Sequence, residues 1–225
     1  MGAGELSRVE ARIAAASERT GREPSAVALV VVSKGRSNAE IMELYEAGHR
    51  DFGENRAGAL QGRMTLPSDI RWHFVGTLQR RKVRDVAGAV TLLHSVDRSA
   101  VAQAWVAHGG GPALMEVNVS GEPQKHGFMP SEVVDVAEQL VALGLDLHGL
   151  MAIPAAPAQP EDSRPAFVAM RELRDRVLAV LPAFTELSMG MTDDFEVAVE
   201  CGATIVRVGR AIFGEPADPG SSVGR

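Results

Sequence analysis

The sequence predicts an α/β protein of the (β/α)₈ TIM-barrel class, with one extra helix at the N-terminus. Three observations predict it. Eight short apolar runs alternate with helical patterns along the chain, the pattern of a parallel sheet wrapped by its own crossover helices. No GxGxxG turn follows the first run, which argues against an open doubly wound sheet, the alternative. The 225 residues lie within the roughly 200 to 250 that such barrels take as one domain.

Each element has its own reason. Glu5 to Ser17 reads as a helix because Leu6, Val9, Ile13 and Ala16 recur at helical spacing. It is the extra element and is expected to cover the bottom of the barrel. Ala26 to Val32 is seven apolar residues, four of them valine, as a strand buried on both faces requires. Ser37 caps a helix from Ala39 to Ala47 that stops at Gly48. Asp51 to Gly53 is a short second strand, and Glu54-Asn55 opens the next helix. Arg71 to Val75 is the third strand, and Gln79 to Ala87 is helical. Thr91 to Val96 is the fourth strand, followed by a helix from Arg98 to Ala107. Ala113 to Val119 is the fifth strand, with a helix from Pro130 to Leu143. Leu147 to Ile153 is the sixth. Pro154 to Pro165 holds four prolines and reads as a surface loop into a helix from Ala166 to Val180. Glu186 to Met189 is the seventh strand, with a helix from Phe195 to Glu200. Thr204 to Val208 is the eighth, before a short helical turn near Ala211. Residues 1–215 are expected to form a single domain. Residues 216–225, rich in Pro, Gly and Ser, are expected to be a disordered tail.

Composition narrows the function. Twenty-three basic against 29 acidic residues give a net charge of −6, which argues against a general nucleic-acid binder. Cys201 is the single cysteine, so neither an intrachain disulfide nor a cysteine-based metal site is expected. The amphipathic N-terminus lacks a signal-type apolar core, and no apolar stretch approaches the roughly 20 residues that span a bilayer. A cytoplasmic protein without membrane attachment is the expectation.

Barrel sites are built at the C-terminal ends of the strands, and here those ends are rich in chemistry. Strand one delivers Lys34. Its apolar setting suggests little room for a charge, which leaves two readings. The ammonium snorkels to water, or burial lowers its pKa and the neutral amine attacks a carbonyl to form a Schiff base. Strand two delivers Glu54 and Asn55, strand three His73 and Gly76, strand four His94, strand five Asn118 and strand six Met151. Strand seven gives Ser188 to Thr192, and strand eight gives Arg207, Gly209 and Arg210. The last two loops suit a phosphate. An amine at one side of the mouth and a phosphate cup at the other match pyridoxal 5′-phosphate (PLP), which carries an aldehyde and a phosphate on one ring. The histidines are not at metal-ligand spacing, and each reads equally as a packed structural residue or a site residue. Thr192, followed by Asp193 and Asp194, fits a helix cap. Gln79-Arg80-Arg81-Lys82 reads as a solvated basic face.

The segments VVSKGR, FGEN, WHFVGTLQRRK, EVNVSGEPQKHGF, HGLMAIP, LSMGMTDDFEVAV and GATIVRVGRAIFGE together resemble the pyridoxal phosphate homeostasis protein family, from about Val30 to Glu215. The resemblance implies a fold-type III barrel like the N-terminal domain of alanine racemase, with PLP held as a Schiff base by Lys34. It implies a carrier or regulator of PLP without significant catalytic turnover. Asn55, Met151, Ser188, Met189, Arg207, Gly209 and Arg210 are the remaining expected cofactor contacts, with Arg207 facing the pyridine nitrogen. Lys125 and His126 would form a lid or secondary contact. Arg210 departs from the family's usual Ser or Thr, and either adds charge to the phosphate cup or turns outward. Arg36 departs where many members carry lysine. The rival is a PLP-dependent amino-acid racemase. It would need a tyrosine from an added β-domain, whereas this chain is expected to end after its barrel, with Tyr45 inside the helix after strand one. A PLP-independent Schiff-base aldolase would leave Arg207 and the phosphate cup unexplained. The expected partners are PLP and, transiently, PLP-dependent apo-enzymes, and the expected state is a monomer.

Overall fold

The valine-rich run forms a strand, and that strand closes a ring. In the computed structural model, which describes residues 2–122 and 124–215, β1 (Ala28–Val32) pairs in parallel with both β2 (Asp51–Glu54) and β8 (Ile205–Val208). Between these lie β3 (Arg71–Phe74), β4 (Leu92–Val96), β5 (Ala113–Val117), β6 (Leu147–Ala152) and β7 (Glu186–Ser188). Each strand pairs with its successor, so the sheet is a closed parallel barrel in sequence order. Parallel neighbours need crossovers. These are made by α2 (Asn38–Glu46), α3 (Ala57–Arg63), α4 (Val83–Val86), α5 (Ser99–Ala107), α6 (Val133–Ala142), α7 (Arg164–Leu178) and α8 (Phe195–Glu200), with α9 (Arg210–Phe213) after β8. The barrel expected from the sequence is the fold observed. The expected tail, 216–225, lies outside the described residues.

Side-chain parity divides the core. Phe52, Phe74, Trp105, Phe167 and Phe195 are buried between the barrel and its helices, where each full burial contributes roughly 1.5 to 3 kcal/mol. A separate cluster of Val30, Leu92, Leu114, Met151 and Ile205 fills the barrel interior. The next inward positions along β4, β5 and β8, two residues on, are His94, Glu116 and Arg207, all buried. The interior is therefore apolar below and polar towards the mouth.

Four local expectations are corrected. The N-terminal helix, α1 (Gly2–Glu18), packs through Leu6, Val9, Ile13 and Ala16 beside α8, α9 and α2. It completes the outer ring instead of covering the bottom, because α9 is only four residues long and leaves that side open. Glu54 does not open a helix. It is the last residue of β2, and α3 starts at Ala57. The helix expected over Gln79 to Ala87 splits into a 3₁₀ turn, Arg80–Lys82, and the short α4. Three consecutive cations at a helix start oppose the helix dipole there. Thr192 does not cap α8. The cap position is Asp194, whose Oδ1 accepts from the Met191 N–H at 2.8 Å. The Thr192 hydroxyl lies instead 3.4 Å from the Ala211 N–H. The Ser37 cap does form, as a reciprocal capping box with Glu40.

Candidate functional site

Lys34 stands at the mouth, on a turn completed by Gly35 at φ 73°, where a left-handed backbone favours glycine. It is exposed. The burial expected from the strand's apolarity stops at Ser33, whose N–H donates to the Gly53 carbonyl at 2.9 Å and whose hydroxyl donates to Glu54 Oε1 at 3.0 Å. Among the described residues the Lys34 amine has no hydrogen-bond or ion-pair partner. It opens into a recess of about 400 Å³ shared with Gly35, Glu54, Asn55, Arg56 and Arg63.

The turn is clamped from outside the barrel. Arg63, on α3, donates through Nε to the fully buried Glu54 at 3.0 Å and through Nη2 to the Arg36 carbonyl at 2.7 Å and the Ser33 carbonyl at 3.5 Å. It also donates to Asn38. Ser33 and Arg36 bracket Lys34, so one guanidinium sets both ends of the lysine turn. Sequence reasoning misses Arg63. The available signal was Glu54, since a carboxylate ending a buried strand requires a cation nearby. Arg36 itself lies over the Phe213 ring and bonds to Glu40 and the Gly214 carbonyl. Asn55 lies against Gly76, where a Cβ would come within 2.3 Å of the Asn55 carbonyl, so only glycine fits there.

The polar interior is one connected chain. Arg207 is buried and donates through Nη1 to Ser188 Oγ at 2.6 Å and through Nη2 to the Ala152 carbonyl at 3.0 Å. Ser188 Oγ lies 2.9 Å from His94 Nδ1, His94 Nε2 lies 2.9 Å from His73 Nδ1, and His73 Nε2 lies 3.2 Å from Asp51 Oδ1. The two histidines left open by the sequence therefore belong to one assembly. Burial pushes the Arg207 guanidinium down to about 10, opposed by the charges of Glu116 and Asp194. Burial pushes His94 well below its ordinary value. Burial raises Asp51, but hydrogen bonds from His73 and Arg71 outweigh it and hold the carboxyl below the usual range. Two of Arg207's five N–H groups are engaged this way, which leaves donors for a ligand. Ser188, expected at the phosphate, has its hydroxyl engaged by His94 and Arg207. Met151 is part of the apolar interior cluster below.

Glu116, inward on β5, makes no hydrogen bond through its side chain among the described residues. Burial and the nearby Asp97 charge raise its carboxyl to about 7, against the attraction of Arg207 and Arg98. The loop after β5 folds back onto that strand. The Phe128 N–H donates to the Glu116 carbonyl, the Asn118 N–H to the Phe128 carbonyl, and the Asn118 side chain to the Glu122 carbonyl, each at 2.9 Å. This brings His126 within 3.4 Å of Asp97, while Lys125 pairs with Glu122 at 2.6 Å.

Around the β7 and β8 ends, Met189 packs into the core outside the barrel and its N–H is spent on the Ile205 carbonyl at 3.1 Å. Gly209 leaves no spare room, since a Cβ would lie 3.0 Å from the Val32 carbonyl. The Arg210 side chain turns outward to Asp193 and Glu215. The N–H groups of Gly209 and Arg210 make no backbone hydrogen bond among the described residues and remain as donors. No three His, Cys, Asp or Glu side chains cluster to hold a metal among the described residues.

The model of the alanine racemase N-terminal domain family matches residues 5–216 of this closed parallel barrel. The chain is 41% identical over 217 residues to a pyridoxal phosphate homeostasis protein of Pseudomonas aeruginosa, covering 93% of each chain. It is 41% identical over 219 residues to one of Aquifex aeolicus, covering 93% of this chain and 96% of that one. Among solved structures, PipY of Synechococcus elongatus PCC7942 with PLP bound superposes with a TM-score of 0.77 at 31% identity, covering 95% of this chain and all of PipY. The chain belongs to the pyridoxal phosphate homeostasis protein family. Lysine/ornithine decarboxylase of Vibrio vulnificus, at 15% identity and a TM-score of 0.67 over 91% of this chain and 61% of that one, shares the fold alone.

Proposed function

We propose that this protein binds PLP at the barrel mouth, holds it as a Schiff base on Lys34, and serves intracellular PLP homeostasis as a carrier without significant catalytic turnover. The observation that carries this reading is the pairing of an unpartnered Lys34 at the mouth with a buried Arg207 that keeps free donors inside it. PLP, when bound, supplies an aldehyde to the lysine and an electron-withdrawing ring. The residues fit that group. Lys34 has no competing partner, Asn55 lines the same recess, Arg207 presents N–H groups towards a ring, and the Gly209 and Arg210 N–H groups suit a phosphate. Met151 supports the ring from below. Ser188 acts through Arg207, and Met189 holds the strand end in place.

A racemase requires a second base opposite the lysine. Tyr45, the single tyrosine, sits near the end of α2, and its hydroxyl bonds to Asp69 at 2.9 Å. Asp69 precedes β3 and so lies at the opposite end of the barrel from Lys34. This favours the carrier. No helix among the described residues is long and apolar enough to cross a membrane. The reading takes the protein to act in the cytoplasm as a monomer, touching PLP-dependent apo-enzymes transiently.

The test is spectroscopic. The purified protein absorbs near roughly 420 nm, a property of the cofactor chemistry. Borohydride fixes the label on Lys34, and Lys34→Ala abolishes the covalent link. A labelled peptide containing any other lysine refutes the assignment.

A further inference from the structure

We infer that Asp51, His73, His94 and Ser188 form a one-directional hydrogen-bond chain through the barrel interior that positions Arg207 towards the bound cofactor. This rests on the reading that PLP occupies the mouth, but the chain itself is a property of the protein alone.

The direction follows from the residues. Asp51 accepts the Arg71 guanidinium on both oxygens, Nε to Oδ1 at 2.7 Å and Nη2 to Oδ2 at 2.5 Å. It is thus an ionised acceptor with a cation already in place. The His73 nitrogen facing it, Nε2, must carry a proton. Arg71 already supplies the cation for Asp51, so the chain assigns His73 Nδ1 as the acceptor of His94 Nε2–H. His94 is neutral, by its complete burial, so its Nδ1 is bare and accepts the Ser188 O–H. With its proton committed downward, Ser188 Oγ can only accept from above, and Arg207, which has no acceptor, supplies that bond. Every link points the same way, from Arg207 at the mouth to Asp51 at the foot of β2. The four bonds cross the barrel from strand eight to seven, four, three and two.

Three consequences set this apart from ordinary packing. Both histidines are locked as Nε2–H tautomers. The Ser188 hydroxyl has no proton left for a phosphate, so its part in the site is to orient the guanidinium. Among the described residues Arg207 makes no direct ion pair, and the charges that act on it are those of Glu116 and Asp194, while Ser188 links it to a polarised chain whose bonds reinforce one another. The guanidinium plane is fixed by Ser188 on one nitrogen and the Ala152 carbonyl on the other, which aims the unused N–H groups.

Two measurements test this. Long-range proton–nitrogen NMR spectra of PLP-free protein labelled with ¹⁵N-histidine, at pH 7.5, show His73 and His94 both as neutral Nε2–H tautomers. An Nδ1–H tautomer or an imidazolium at either ring overturns the chain, whatever the protein binds. The second arm uses Ser188→Ala and Ser188→Thr loaded with PLP carrying ¹⁵N in its ring. The alanine variant shifts the ring-nitrogen resonance from its wild-type position and weakens PLP binding about tenfold, the scale of one charge-assisted hydrogen bond. The threonine variant, which keeps the hydroxyl, restores the resonance. An unchanged resonance in Ser188→Ala refutes the positioning role. Failure of wild-type protein to label at Lys34 would instead refute the PLP reading and leave the tautomer result standing. Should Ser188→Ala not fold, the tautomer measurement still decides, since it needs no variant.

Discussion

Replacing Glu116 with glutamine is expected to stabilise the protein increasingly as pH rises above about 4.5. The carboxyl is buried on an inward position of β5 and raised from an ordinary 4.5 to about 7. Between those values the folded chain keeps a proton that the unfolded chain has lost. Stability is therefore fully present below about 4.5 and is lost as pH rises through 7. At 1.36 kcal/mol per pKa unit, the ionised carboxylate costs the folded state about 3 kcal/mol. Glutamine has the shape of the protonated acid and cannot ionise. In PLP-free protein, urea unfolding at about pH 3.5, below both pKa values, should give nearly the same midpoint for wild type and Glu116→Gln. At pH 8.5 the variant should unfold later by roughly 1 M urea, taking a slope of about 2 to 3 kcal/mol/M. Comparing the two proteins cancels every other group that titrates in the interval. A variant less stable than wild type at pH 8.5 would refute the reasoning. It would mean that the attraction between Glu116 and the buried Arg207 outweighs desolvation, and that the carboxylate is an ionised partner of the guanidinium.

Arg63→Leu leaves Glu54 fully buried without its cation, which is expected to cost about 3 to 5 kcal/mol in urea unfolding; a loss below about 1 kcal/mol would show that the clamp is not what holds the lysine turn. Pyridoxal lacks the phosphate and should bind orders of magnitude more weakly than PLP, since charge-assisted hydrogen bonds contribute about 1.5 to 3 kcal/mol each; equal affinities in a spectral titration would remove the β7 and β8 loops as the anchor. PLP-loaded protein incubated with L-alanine in D₂O should form D-alanine far more slowly than about 1 s⁻¹, because Tyr45 is bonded to Asp69 away from the lysine and a second base contributes about 10² to 10⁴-fold. Ordinary turnover that disappears in Lys34→Ala would make the protein a racemase.

The strands were legible because each is a short apolar run ended by glycine or a polar residue, and that contrast survives in any barrel. Every expected strand is present, with ends that move by no more than two residues. What was not legible depends on partners distant in sequence. Glu54 reads as a helix opener by position, yet Ser33 and Arg63 hold it in β2. The N-terminal helix reads correctly as amphipathic, but its place in the ring depends on how little α9 covers. Lys34 reads as buried because the six residues before Ser33 are apolar and largely are buried; the turn that lifts it into solvent is a property of Gly35 and of the Arg63 clamp.

The site shows the same division more sharply. Parity along each strand is enough to aim His73, His94, Ser188 and Arg207 inward, and the sequence supports that much. It does not say which inward residues meet, because that depends on the stagger between strands. In the sheet Val30 stands opposite Arg207, His73 opposite Leu92 and Ser188 opposite Ile205. That stagger lets His94 on β4 reach Ser188 on β7 across the interior, 94 positions away. A histidine judged alone is equally well a packing residue or a ligand. Judged with its neighbours on the ring, each of these two has a partner at both nitrogens. Those pairings, and not the residue type, convert an ambiguous pair into one assembly, in which the Ser188 hydroxyl meets both His94 and Arg207.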